Sequence, residues 1–372
     1  MVIHFSFLAV ILIASVLSEQ RIKNCALRSV YEGKNFITHR WHWAIVFGYI
    51  AFLAAMRTSS NDTYAYITSF RNLEGTWQAF WNQVASAGEG KDWAFDAVSI
   101  LFKILVSDDY HLWFALYAVV ESAAFIYILR RSSVSLLDCC FFFFCSTLYY
   151  NYFSMMRQWF AIVILFAASR LIAEKKFFRY LIICLIAAQF HNSAYLMIPV
   201  YFLVQGKAWS KKQFAFIIIA MLSIIYFDSI LETLDSSLSG TTYDYAIAAM
   251  NSGSGSSIIR AYIAAVPVFL AFLYRDEIKS PMINICVNMS FFNFLLNLLA
   301  AFTSGLYIIR FATYLNVHNM ILYPYLLNVC IRGRNRMIIK PLFYAIYLVF
   351  YIYQMNYQGA FSYGSDILGY FK

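Results

Sequence analysis

The chain has 372 residues and a formal charge of +9; 62% of its residues are hydrophobic, 20% aromatic and only 13% charged. Soluble domains carry about 25% charged residues, so a water-soluble globule is excluded and an all-α polytopic membrane protein is expected. The basic excess by itself would suit a nucleic-acid partner, but where the charges fall argues against one.

Apolar runs near the length of a bilayer crossing, roughly 17–25 residues with shorter ones in tight bundles, lie near 2–17, 41–56, 111–129, 133–150, 155–172, 177–190, 192–205, 213–228, 258–274, 281–302, 306–330 and 338–356. The first run has no basic stretch before it and reads as an uncleaved span rather than a secretory signal. Residues 57–110 are long, polar and aromatic; within them 93–106 is apolar but short and holds Asp96 and Lys103, which suits an interfacial or re-entrant helix better than a crossing. The runs on either side of residue 191 read as a helical hairpin. Residues 229–257 form a second long polar loop that ends in "NSGSGSS", a flexible connection. The expected domain is a single transmembrane domain, 1–372.

The connections between runs fall into two alternating sets. One set (18–40, 130–132, 170–180, 206–212, 275–280 and 331–340) carries twenty of the 28 Lys and Arg residues. By the positive-inside rule that set is cytoplasmic. Both termini then lie outside, with about twelve helices, and loops 57–110 and 229–257 are outer loops. The net charge is mostly a topology signal, so no nucleic-acid partner is expected. All seven cysteines fall in spans or cytoplasmic connections, where a disulfide framework does not form.

Four arginines run against this grain: Arg57 after the second run, Arg157 entering the fifth, Arg260 entering the ninth and Arg310 entering the eleventh. His191 and Asp62 lie at the same outer level. Taken singly, an Arg at a helix end snorkels to lipid phosphate, a hairpin His is a structural hydrogen-bonding group, and Asp62 in "SSND" caps the next helix. Taken together, four arginines on the disfavoured side point to a shared anionic ligand, because an intramembrane Arg costs about 3 kcal/mol on insertion scales and its planar fork matches phosphate oxygens. The outer loops add Trp77, Trp81, Trp93, Tyr64, Tyr66, Tyr243 and Tyr245 with Asp92, Asp96, Asp108, Asp109, Asp235 and Asp244. Aromatic faces with carboxylates suit sugar rings; an interfacial aromatic belt is the competing reading.

These residues carry a family resemblance. "AAMRTSSNDTYAYITSF", "WAFDAVSILFKIL", "YNYFSMMRQWFAIVILFAASRLIAEKKFFRYLIICLIAAQFHNSAYLMIPVYFL" and "GLYIIRFATYLNVHNMILYP" occur in an order that resembles the EpsG/Wzy-type polymerases of bacterial surface polysaccharides. Two departures stand out: Asn61 replaces a usual Gly, and no Glu occupies the usual place in the second segment. The resemblance covers roughly residues 41–330. It implies a fold like that of polyprenyl-donor membrane glycosyltransferases, located in the bacterial inner membrane with the active site facing the periplasm. It also implies transfer of a growing glycan from one undecaprenyl diphosphate carrier to the repeat unit on another. The implied partners are the undecaprenyl-diphosphate-linked oligosaccharide, the bilayer and a chain-length regulator; no cofactor and no metal are expected.

In that reaction the leaving group is a lipid diphosphate, and fixed cations stabilise the charge that develops on it. Arg157 is the foremost phosphate ligand. Gln158 holds Arg157 or substrate, and Arg57, Arg310 and Arg260 follow. Tyr314, one turn after Arg310, shares its face and either donates to phosphate or packs. His191 serves as base for the acceptor hydroxyl, as a hydrogen-bond donor to diphosphate or as a structural group, and Asp62 competes with it as base. A lipid-linked oligosaccharide flippase, which moves cargo through the bundle, and an O-antigen ligase, usually with a larger late outer loop, are the alternatives.

Overall fold

Some helix starts in the computed structural model are set by a capping side chain. The structure describes residues 6–14, 40–87, 92–226, 256–303, 305–357 and 363–369; most of the 229–257 loop lies outside them. In chain order the helices are α1 (6–14), α2 (Arg40–Ala55), α3 (Thr63–Asn72), α4 (Trp77–Ala85), α5 (Trp93–Leu105), α6 (Tyr110–Ser132), α7 (Leu136–Cys145), α8 (Thr147–Ser154), α9 (Met156–Ala167), α10 (Ser169–Ala173) and α11 (Phe177–Phe190). A 3-10 turn (Asn192–Leu196) leads to α12 (Met197–Leu203), α13 (Lys211–Ile225), α14 (Ile258–Leu273), α15 (Pro281–Phe302), α16 (Leu306–Asn316), α17 (Asn319–Tyr325), a π turn (Leu326–Cys330) and α18 (Gly333–Tyr357). Asp109 caps α6 by accepting from the His111 N–H at 2.7 Å, and Arg130 and Arg131 close the helix at its negative end. Among the described residues there is no β-strand, only an isolated bridge between Ser59 and Gly364.

Among the described residues three helices are long and apolar enough to cross a membrane: α6, α15 and α18. Shorter apolar helices occupy α2, α7, α9, α11 and α14. The protein is a multi-pass membrane protein, but several expected spans are not single helices. The run 133–150 breaks at Ser146, whose hydroxyl caps α8 by accepting from the Leu148 N–H at 3.3 Å. The run 155–172 breaks at Ala168, and 306–330 breaks after Asn316. A 10-residue helix is only about 15 Å long, so α7 alone does not bridge a hydrocarbon core of about 30 Å. Helix α5 forms where the short apolar run 93–106 was read as a helix.

The chain divides into two compact units, residues 1–201 with 323–372 and residues 202–322. In the first, an aromatic core joins α2, α6, α7 and α9. The Phe125 ring lies 5.7 Å from Phe47, 5.8 Å from Trp159 and 5.7 Å from Phe166. A second cluster of Ile67, Phe70, Phe95, Phe102, Trp113, Phe114, Tyr117 and Met156 binds α3 and α5 to α6 and to the start of α9. That cluster sets the floor on which the polar site described below rests. Helix α18 is pinned to α7 by Asp138, fully buried, which accepts from Lys340 Nζ at 2.9–3.0 Å, from Asn328 Nδ2 at 2.5 Å and from the Tyr344 hydroxyl. The 363–369 segment clips onto the loop after α2, through Thr58 N–H to Gly364 O and Gly364 N–H to Ser59 O, both 2.8 Å.

In the second unit α15 packs between α14 and α16. Its polar face is tied down by Asn288 Nδ2, which donates to Val204 O at 2.7 Å, and by Asn284 Oδ1, which accepts from the Ala208 N–H at 2.8 Å. All six described cysteines, Cys139, Cys140, Cys145, Cys184, Cys286 and Cys330, are buried free thiols.

Candidate functional site

Arg157 sits in the first turn of α9, the positive end of the helix dipole, where a cation is disfavoured unless compensated. The compensation comes from α5. Arg157 Nη2 donates to Asp96 Oδ1 at 3.0 Å, and Nη1 lies 3.8 Å from Asp92 Oδ2. Its guanidinium also stands over the Phe95 ring, 4.8 Å from the centroid. The charge balance that sequence reasoning assigned to an anionic ligand is thus met here by two carboxylates of the same chain, four residues apart on "DWAFD".

Asp92 links this pair to the hairpin. Its Oδ2 lies 3.2 Å from His191 Nδ1 and its Oδ1 accepts from the Asn192 N–H at 3.1 Å. A carboxylate only accepts, so Nδ1 is the donor in this contact, and Nε2 is the acceptor whenever the ring is neutral. Asp92 has φ +58, a left-handed conformation that costs on the order of 1 kcal/mol in a non-glycine residue and that Asp tolerates better than most. It stands at the N-cap of α5 without capping it; its side chain is turned to the hairpin instead. Trp93 Nε1 donates to Gln189 Oε1 at 2.5 Å, a second tie between α5 and the end of α11.

The four groups remain accessible. Side-chain exposure is 25% for Arg157, 12% for Asp92, 22% for Asp96 and 30% for His191. Burial lifts the Asp96 carboxyl above its ordinary value; Arg157 opposes the shift and Asp92 adds to it. Arg157 sets one fixed cation against two carboxylates. The cluster can therefore accept hydrogen bonds from hydroxyls, take a proton at His191 Nε2 and turn a guanidinium toward an anionic oxygen.

The other sequence-derived candidates take different places. Arg57 is 3% exposed: Nη1 donates to Ala54 O at 2.5 Å, Nε to Thr63 Oγ1 at 3.2 Å, Nη2 to Met156 Sδ at 3.9 Å, and the guanidinium lies 4.0 Å from the Phe114 centroid. As placed, it braces α2, α3 and the start of α9 rather than presenting a fork outward. Burial pulls its pKa below the ordinary value, with Tyr152 and Glu121 opposing. Asp62 is exposed at the N-cap position of α3 but makes no side-chain capping bond, and its neighbour Asn61 donates to Ser154 Oγ at 2.6 Å. Gln158 is buried in α9. Arg260, Arg310 and Tyr314 belong to the second unit. There Arg260 lies in the first turn of α14, Arg310 is exposed on α16, and Tyr314, one turn on, is buried with its ring 6.0 Å from Phe311.

Sequence reasoning named Asp92 and Asp96 only as sugar-contacting loop carboxylates and did not assign them to Arg157 and His191. It passed over Gln189 and Asn192 altogether. The available signal was the i, i+4 carboxylate pair at the head of an apolar helix. Among the described residues no group of three or more His, Cys, Asp or Glu side chains gathers to hold a metal ion.

The model of the EpsG family matches residues 40–365. No curated protein and no solved structure matches the chain.

Proposed function

The chain belongs to the EpsG family of Wzy-type polysaccharide polymerases, and from that premise we propose that it joins undecaprenyl-diphosphate-linked repeat units into O-antigen or a related surface polysaccharide at the outer face of the bacterial inner membrane. The observation that carries this reading is the pairing of His191 with Asp92 beside that of Arg157 with Asp96, in one accessible cluster.

In the proposed step the acceptor hydroxyl attacks the anomeric carbon of the donor glycan. The new glycosidic C–O bond forms as the bond from that carbon to the phosphate oxygen breaks. The electron pair leaves with undecaprenyl diphosphate, and the hydroxyl proton passes to His191 Nε2. Asp92 holds the imidazole in the required tautomer and stabilises the imidazolium, a service worth roughly 10²–10⁴-fold in acid–base catalysis. Arg157, positioned by Asp96 and Phe95, meets the charge on the departing diphosphate with its planar fork. Asp92 and Asp96 accept hydrogen bonds from sugar hydroxyls.

Genetic complementation tests this. In a strain lacking its own polymerase, Arg157→Ala at normal abundance should abolish long polysaccharide chains while single repeat units still reach the surface. Full-length chains from that variant would overturn the assignment; loss even of single capped units would favour the flippase reading.

A further inference from the structure

A groove of about 540 Å³ runs between α6, α9 and α11, within the roughly 300–1,000 Å³ of small-molecule sites. Its walls are apolar: Val120 and Ala124 from α6, Phe160, Ile164 and Ala167 from α9, Ile183 and Ile186 from α11. Arg170 and Glu174, ion-paired at 2.8 Å, stand at its far end. We propose that this groove seats the polyprenyl chain of one lipid-linked glycan, with the sugar–phosphate end of that molecule in the Arg157 cluster. The proposal rests on the polymerase reading above and adds a binding site to it.

Helix register makes the connection. Residues three and four apart share a helix face. On α9, Arg157, Phe160, Ile164 and Ala167 form one stripe, so the face that carries the guanidinium is the face that lines the groove. On α11, Ile183 and Ile186 lead to Phe190, next to His191. On α6, Val120 follows Tyr117 by one turn. The three tops close on one another: the Phe160 ring lies 4.8 Å from Phe190 and 5.2 Å from Tyr117, and Tyr117 stacks on Phe95 at 4.9 Å. Every wall of the groove therefore ends at this aromatic contact, one helical turn from Arg157 on α9 and next to His191 on α11.

Length fits the occupant. From Phe160 to Ala167, the part of the groove that α9 lines, the path is about 10 Å at 1.5 Å per residue, about a third of a hydrocarbon core of about 30 Å. A stretch of a single polyprenyl chain fits along this path, with its polar group at the cluster end. A neighbouring groove of about 520 Å³ between α5 and α6 lacks this continuity. It is lined by Val98, Leu105, Leu112 and Val119 among others, whereas the face of Asp96 continues to Ile100 and Lys103, outside that groove.

The test uses the full-length protein in lipid nanodiscs and an undecaprenyl phosphate probe bearing a diazirine on its chain. Illumination should label residues between Phe160 and Leu171 and around Ile183 and Ile186, and unlabelled undecaprenyl diphosphate should compete. Ala167→Trp, a change at an exposed position, should lower labelling and long-chain synthesis at least ~10-fold, a difference of about 1.4 kcal/mol; Val119→Trp in the other groove should change neither. If a phosphatidylglycerol diazirine probe labels the same residues equally and undecaprenyl diphosphate does not compete, the groove holds ordinary bilayer lipid and the proposal is overturned. If cross-links join two copies of the chain there, it is overturned in favour of self-association. Either result with Arg157→Ala still abolishing long chains leaves the polymerase reading standing; full-length chains from Arg157→Ala sink that reading whatever the probe labels.

Discussion

Asp92 holds His191 by one oxygen and the Asn192 N–H by the other, and so fixes both the tautomer and the place of the imidazole. Asp92→Asn should leave the protein folded and lower polymerisation ~10²-fold or more, because the amide no longer stabilises an imidazolium; activity within a few-fold of wild type would remove His191 from the role of base. Asp96 makes a different prediction. Its carboxyl is raised by burial in the folded protein, so the folded state binds the proton more tightly than the unfolded one. Stability then falls as pH rises through the window from the ordinary carboxylate value to the raised one. Asp96→Asn mimics the protonated form, so at neutral pH it should keep or raise the thermal midpoint in detergent while polymerisation drops. A marked loss of stability would contradict this sign. Arg157 and His191 were legible as candidates in the sequence because a charge entering an apolar run and a His between two apolar runs stand out against their surroundings. Their partners were not, because the Arg157–Asp96 contact spans 61 positions of the chain and only tertiary packing creates it. Arg57 shows the converse: it too stands at the end of an apolar run, but its donors close on Ala54, Thr63 and Met156.

At the scale of elements, hydropathy marks where apolar helices lie but not where they stop. Ser146 falls inside an apolar run and still ends α7, since a hydroxyl that caps a following helix competes with continuation. The break between Ser154 and Met156 begins a helix at the point that puts Arg157 in its first turn, beside the α5 carboxylates. The tie between α7 and α18 is the most exacting joint in the first unit. Lys340→Met leaves Asp138 buried without its cation and should destabilise by on the order of 3–5 kcal/mol. Adding Asp138→Asn should recover much of that loss. A thermal-melt series in detergent reads this; equal midpoints for the wild type and the single variant would show that Asn328 and Tyr344 suffice to hold the carboxylate. The π turn just before α18 brings Asn328 to this joint, where Arg336 Nη2 donates to its Oδ1 at 2.6 Å. Nothing in the local sequence marks that turn.

For the whole molecule, class was the easiest feature to read. A chain with 62% hydrophobic and 13% charged residues has no soluble solution, and its all-helical build follows from the need to satisfy backbone groups in lipid. The number of crossings was harder, because broken and short helices count as spans by hydropathy but not by length, and among the described residues α6, α15 and α18 alone are both long and apolar enough. The chain is a member of a polymerase family, and in the reading proposed above its chemistry is carried by His191–Asp92 and Arg157–Asp96. The most direct measurement is chain-length analysis of product made by the purified protein in liposomes supplied with undecaprenyl-diphosphate-linked repeat units. Wild type should yield a ladder of polymer, and His191→Gln and Arg157→Ala, folded and equally incorporated, should each fall by ~10²-fold or more. A full ladder from either variant would contradict the account.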